Sequence, residues 1–190
     1  IQNYDTLPGK ELDRYGYPKS RGVRIGIDLA ISQRAAADYT AMVPMLIVGD
    51  GADMKIYILP KIINKKMTFP ETVEACKIIH QSYKKDGTTP TLVIEDIAYQ
   101  RSLPQQLAKE GIRNVITSKP GNQDKRTRII LTAHWIKTGR ILFPKEGCEE
   151  LLSQLVHFGV EKHDDLADAF SIGILSIVEN PPVIPRITFL

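Results

Sequence analysis

The chain predicts an α/β domain: a mixed sheet of five or more strands, an antiparallel meander followed by parallel strands, flanked by helices. Three observations lead there. After residue 70, short β-rich runs alternate with amphipathic stretches of helical period. Before that point three strand-like runs follow one another with no helix between them, which favours antiparallel pairing. The 190 residues, 43% hydrophobic and 25% charged, suffice for one soluble domain with its own core.

Residues 1–21 mix Gly, Pro, Tyr and charge without a period and read as a linker or an arm packed on something else. Ile1 follows neither a start methionine nor a signal pattern, so the sequence reads as a piece of a longer protein. In VRIGIDLA, residues 23–30, Val23, Ile25 and Ile27 alternate with smaller or polar residues, and the strand ends on an acid. TAMVPMLIVGD and KIYILP follow as two more strands joined by GDGAD, a connection suited to a tight hairpin. Pro44 lacks an N–H and should sit at a bulge or an edge. Residues 71–85 place Val73, Cys76, Ile79 and Tyr83 on one helical face. TLVIE, residues 91–95, should lie parallel to the first strand because a helical crossover precedes it. A helix over 102–110 stops at Gly111, RNVITS is a further strand, and a helix over 123–137 stops before Gly139. RILFP, two helices over 149–157 and 165–178, and a Pro-rich tail complete the order. The hairpin should occupy one edge of the sheet. The expected division is an arm at 1–21, a domain at 22–180 and a tail at 181–190.

Several classes are excluded. The nearly uncharged stretch 169–178 is about half a bilayer span. Two cysteines, Cys76 and Cys148, make neither a disulfide scaffold nor a zinc cluster and are expected as reduced thiols. The net charge of +3 is compatible with a polyanionic partner, and the basic residues gather at Lys119, Lys125, Arg126 and Arg128 and at Lys61, Lys65 and Lys66.

The stretch KHDDLADAF carries Asp164, Asp165 and Asp168 just ahead of an apolar helix. One Asp suffices to cap a helix, so the surplus asks for a purpose. Asp28 ends the first strand and Glu95 the strand parallel to it, which puts both carboxylates at the carboxyl end of an open sheet, where such sheets place ligands. Carboxylates crowded there repel unless one is protonated or a divalent cation sits among them. All-oxygen ligation suits Mg²⁺ or Mn²⁺, and two such ions would serve phosphodiester hydrolysis. Each acid alone has a plainer reading, as a turn residue or a cap.

GIDLA, ADYTA, VIEDIAYQ and KHDDLADAF, in this order, resemble the nuclease domain of the large terminase subunit of tailed bacteriophages and prophages. The resemblance spans about residues 21–179. It implies a ribonuclease H-like, resolvase-like fold and a metal-dependent endonuclease that cuts concatemeric double-stranded DNA during packaging in the bacterial cytoplasm. It further implies an ATPase domain in the same full-length chain, with the portal and the small terminase subunit as possible partners and no membrane. By motif, Asp28, Glu95 and the Asp164/Asp165 pair carry the metal and the catalysis. Which of the two aspartates ligates directly stays open, with Asp164 favoured, and Asp168 and His163 support. Lys125 is a further candidate near the scissile phosphate, and Lys119, Lys125, Arg126 and Arg128 are candidate phosphate contacts. No Gly-x-x-x-x-Gly-Lys-Ser/Thr loop is present, so the chain itself should not hydrolyse ATP. Two rivals remain: a Holliday-junction resolvase or transposase-like nuclease of the same fold, and a non-catalytic DNA- or portal-binding module.

Overall fold

The computed structural model describes residues 1–9, 11, 19–29, 39–84, 88–95, 102–118, 125–158 and 164–182, with backbone alone for Lys125 and Arg126. The strands are β1 (Gln2–Tyr4), β2 (Ser20–Asp28), β3 (Thr40–Val48), β4 (Lys55–Ile58), β5 (Ile63–Lys65), β6 (Thr91–Glu95), β7 (Val115–Ser118) and β8 (Ile141–Pro144). The helices are α1 (Phe69–Tyr83), α2 (Ser102–Lys109), α3 (Lys125–Lys137), α4 (Glu149–Val156) and α5 (Asp165–Glu179). Among the described residues they build one eight-stranded sheet in the order β1-β8-β4-β3-β2-β6-β7, with β5 pairing β3 off that path. β2, β3 and β4 are the antiparallel meander, and β6 lies parallel to β2.

The hairpin does not sit at an edge. β8 adds parallel to β4 on its outer side, and β1 parallel to β8 beyond that. The meander is therefore interior, and residues 2–4 of the expected arm form the edge strand. Three-residue strands such as β1 and β5 carry too few positions for an alternation to show.

Pro44 also departs from expectation, since it lies inside the central strand β3, opposite Ile25. Its carbonyl accepts from Leu59 N–H at 2.8 Å, so its missing donor points to the same side, toward β4. There β3 changes partner, pairing with β5 at residues 40–42 and with β4 from Met45 onward. The imide thus falls at a local gap in an otherwise interior strand.

Helices cover both faces. α1 and α2 pack Val73, Cys76, Ile79, Leu103 and Leu107 on Ile25, Ile27, Met42, Leu92 and Ile94. On the other face α4 and α5 bury Leu151, Leu166, Phe170, Ile174 and Ile177 against Val43, Met45, Ile56 and Phe143, joined by Trp135 and Ile136 of α3. Cys76 and Cys148 are buried free thiols in different clusters, and burial pushes the Cys76 thiol up to about 12. Among the described residues no helix is long and apolar enough to cross a membrane.

Candidate functional site

The site follows from how α5 lies on β2. A Cβ on Gly26 would meet the Ala169 carbonyl oxygen at 2.0 Å and the Gly173 nitrogen at 2.9 Å, so helix and strand backbones touch with no side chain between them. Two residues back along β2, the buried Arg24 reaches the other end of the helix. Its Nη1 donates to the Ser176 carbonyl and, at 3.2 Å, to Ser176 Oγ, and its Nη2 donates to the Asn180 carbonyl. Burial lowers the Arg24 pKa from its usual value. Strand and helix therefore run in opposite directions, and the face of β2 occupied by Arg24 and Gly26 is the α5 face.

Asp28 lies two residues beyond Gly26 on that same face. Two strand residues advance roughly 7 Å, or about four to five helical residues, which brings Asp28 level with the first turn of α5. Its cross-strand partner Ala41 belongs to the cluster that packs on α5, whereas Ile27 faces α1 and α2. The register of β6 carries Glu95 to the same place. Ile27 pairs with Ile94, and both point away from α5, so the next residues, Asp28 and Glu95, point toward it from strands about 4.8 Å apart. Glu95 is 7% exposed and Asp28 half-buried.

The acidic start of α5 is not used up by capping. Asp164 occupies the N-cap position yet makes no side-chain cap hydrogen bond. The first-turn N–H groups of Leu166 and Ala167 donate instead to the buried Gln154 Oε1 of α4, at 2.9 and 3.2 Å. Asp168 is 7% exposed, one turn in, and one carboxylate oxygen each of Asp165 and Asp168 is shut off from solvent. Gln154 escaped the sequence reading because a helical Gln looks like surface.

Glu95 already faces a cation. Arg128 of α3 donates from Nη1 to Glu95 Oε1 at 2.6 Å. Sequence reading gave Arg128 to phosphate, and its present partner is the acid. Asp38, Lys119, His163 and the side chains of Lys125 and Arg126 lie outside the described residues, as do Asp96, Tyr99 and Gln100.

The donor set, hard carboxylates at one end and on one face of the sheet, fits a divalent cation in residue type and in backbone placement. The side chains as they stand are not drawn together: among the described residues no three His, Cys, Asp or Glu are grouped closely enough to hold an ion. The Arg128 guanidinium stands in for positive charge at Glu95.

A mixed sheet with this order, helices on both faces and acids at adjacent parallel strand ends defines a ribonuclease H-like domain. The model of the terminase RNase H-like domain family matches residues 25–176, and the chain belongs to that family. No curated protein sequence matches it. The large terminase nuclease of the thermophilic phage G20c with bound zinc shares 17% identity at a TM-score of 0.57 over 92% of each chain. The same nuclease with bound magnesium gives 17% and 0.57 over 91% of this chain and 90% of that one. The large terminase nuclease domain of bacteriophage SPP1 with bound manganese gives 12% and 0.52 over 81% and 85%. At these identities the likeness is one of fold.

Proposed function

We propose that the chain is the divalent-metal-dependent DNA endonuclease domain of a phage terminase large subunit, hydrolysing phosphodiester bonds of concatemeric viral DNA during genome packaging. The observation that carries this reading is the pleat. Asp28 and Glu95 end adjacent parallel strands on the face that the acidic start of α5 covers. Membership of the terminase family and the metals bound in the G20c and SPP1 nucleases support it.

Asp28 and Glu95 would hold the ions, with Asp164 as direct ligand and Asp165 as second ligand or support. When bound, two Mg²⁺ or Mn²⁺ ions would supply an activated water and a Lewis acid at the leaving oxygen. The protein's own part is to fix the carboxylates on a rigid sheet end, and Asp168 and His163 would hold those ligands in orientation. Lys119, Lys125, Arg126 and Arg128 would bind backbone phosphates, giving affinity that falls as salt rises. The proposed partners are double-stranded DNA, an ATPase domain in the same full-length chain, the portal and the small terminase subunit, all in the host cytoplasm. Residues 22–180 are the proposed nuclease unit, with residues 1–21 leading from the ATPase and 181–190 as a tail.

Supercoiled plasmid incubated with the protein in Mn²⁺ should be nicked and linearised, and Asp28→Asn, Glu95→Gln or EDTA should each abolish this. Cleavage by both variants at the wild-type rate removes these acids from the chemistry. Mn²⁺ bound as tightly by the variants as by the wild type removes them from the metal site.

A further inference from the structure

The Arg128–Glu95 pair is unlike a finished structural ion pair. A guanidinium carries five N–H donors. Among the described residues Arg128 directs Nη1 to Glu95, while its buried Nε meets no acceptor. Arg24 differs on every count, since both its Nη groups lie on main-chain carbonyls. The pair is also nearly dry, the two side chains being 13% and 9% exposed, so its Coulombic attraction is little screened and an orphaned donor beside it costs stability. An arginine held by one bond to one acid, next to further acids on the same face, is a cation that can be exchanged for another.

We propose that Arg128 is a displaceable internal cation: it neutralises Glu95 in the metal-free protein, and it must leave Glu95 when a divalent ion binds the carboxylates. The proposal rests on the reading of Asp28 and Glu95 as ion-holding groups. Two consequences follow from the exchange. Ion affinity is lower than the carboxylates alone would give, because each binding event breaks a partly buried pair. The released guanidinium stays beside the site, where the planar fork suits a phosphate, so DNA and ion favour each other's binding. Arg128 is thus a positioning residue that couples ion loading to the presence of the nucleic-acid backbone.

Calorimetric titration of Mn²⁺ into the full chain tests this. Arg128→Gln should bind Mn²⁺ about tenfold more tightly than wild type, the scale of breaking one close charge pair. Arg128→Lys, which keeps the charge but loses the fork, should fall between them. Melting curves should show the Arg128→Gln variant gaining more stability from Mn²⁺ than wild type does. Because a Gln beside the buried Glu95 can impair folding, the wild type supplies an independent readout: its Arg128 Nε–Hε NMR signal should shift saturably with Mg²⁺.

Unchanged or weaker Mn²⁺ binding by Arg128→Gln overturns the proposal, as does an Nε–Hε signal that stays still at Mg²⁺ saturation. Those results leave the metal reading intact as long as Glu95→Gln loses the ion. If Glu95→Gln binds Mn²⁺ as the wild type does, the reading of Glu95 as a ligand falls and takes the proposal with it.

Discussion

At the C-terminal end of α5, the buried Arg24 lies against the carbonyls of Ser176 and Asn180, where a helix leaves acceptors without internal partners. At the N-terminal end three aspartates enter the fold, and the N–H groups of Leu166 and Ala167 donate to Gln154 of α4. Opposite charges thus sit at the ends that the helix dipole favours; Arg24 lies on helix carbonyls, whereas Asp164, at the N-cap position, makes no side-chain cap hydrogen bond. Charge that closes open hydrogen bonds belongs to the architecture. At the other end Gln154 closes the N–H groups of Leu166 and Ala167, and the Asp28–Glu95 strand ends lie level with the aspartates there.

Substitutions at the two ends of α5 should differ in effect, and the largest effect falls between the ends. Gly26→Ala places a methyl against the Ala169 carbonyl, which cannot yield as a side chain would, and should cost about 3 kcal/mol or more in urea unfolding. Arg24→Met strips two carbonyls of a charged donor and should cost about 2 to 3 kcal/mol by the same measurement. Gln154→Leu keeps the bulk but removes the acceptor, with an expected loss of about 1 kcal/mol. A silent Gln154→Leu would return the capping role to the aspartates and undo the contrast. Asp164→Asn should change stability by no more than about 0.5 kcal/mol while abolishing plasmid cleavage. A loss equal to that of Arg24→Met would make this acid architectural after all.

The smallest effect concerns a group on the opposite face, remote from both ends. Burial, then the nearby Lys84, lowers the His80 pKa from 6.5. The folded state therefore prefers neutral imidazole more than the unfolded chain does. That contribution is complete above pH 6.5 and fades as pH falls through the lower folded value. His80→Phe should flatten the acid side of the melting-temperature profile and leave the neutral side unchanged. A wild-type profile already flat below pH 6.5 would contradict the depressed imidazole.

The local elements were legible where a run of four or more residues writes its period. β6 begins and ends as read from TLVIE, and α5 starts at Asp165 as expected from the cap-like aspartates. The placement of Asp28 beside Glu95 was legible too, since a helical crossover dictates parallel neighbours. What sequence hid was non-local. Nothing near RILFP says that β8 pairs with β4, and QNY is too short to announce an edge strand. Pro44 argued for a bulge or an edge, whereas the chain accommodates the missing donor with a change of partner along one interior strand. The pairing of Arg128 with Glu95 was hidden because a basic helix face looks alike whether it meets DNA or an acid of its own chain.

The bare contact between Gly26 and the Ala169–Gly173 stretch has a consequence for how such a domain tolerates change. With no side chain acting as a spacer there, the gap between strand end and helix start is set by atomic radii of the main chain. The spacing between β2 and α5, and with it the separation of the acids each carries, is thereby referred to a main-chain contact and not to the bulk of any side chain.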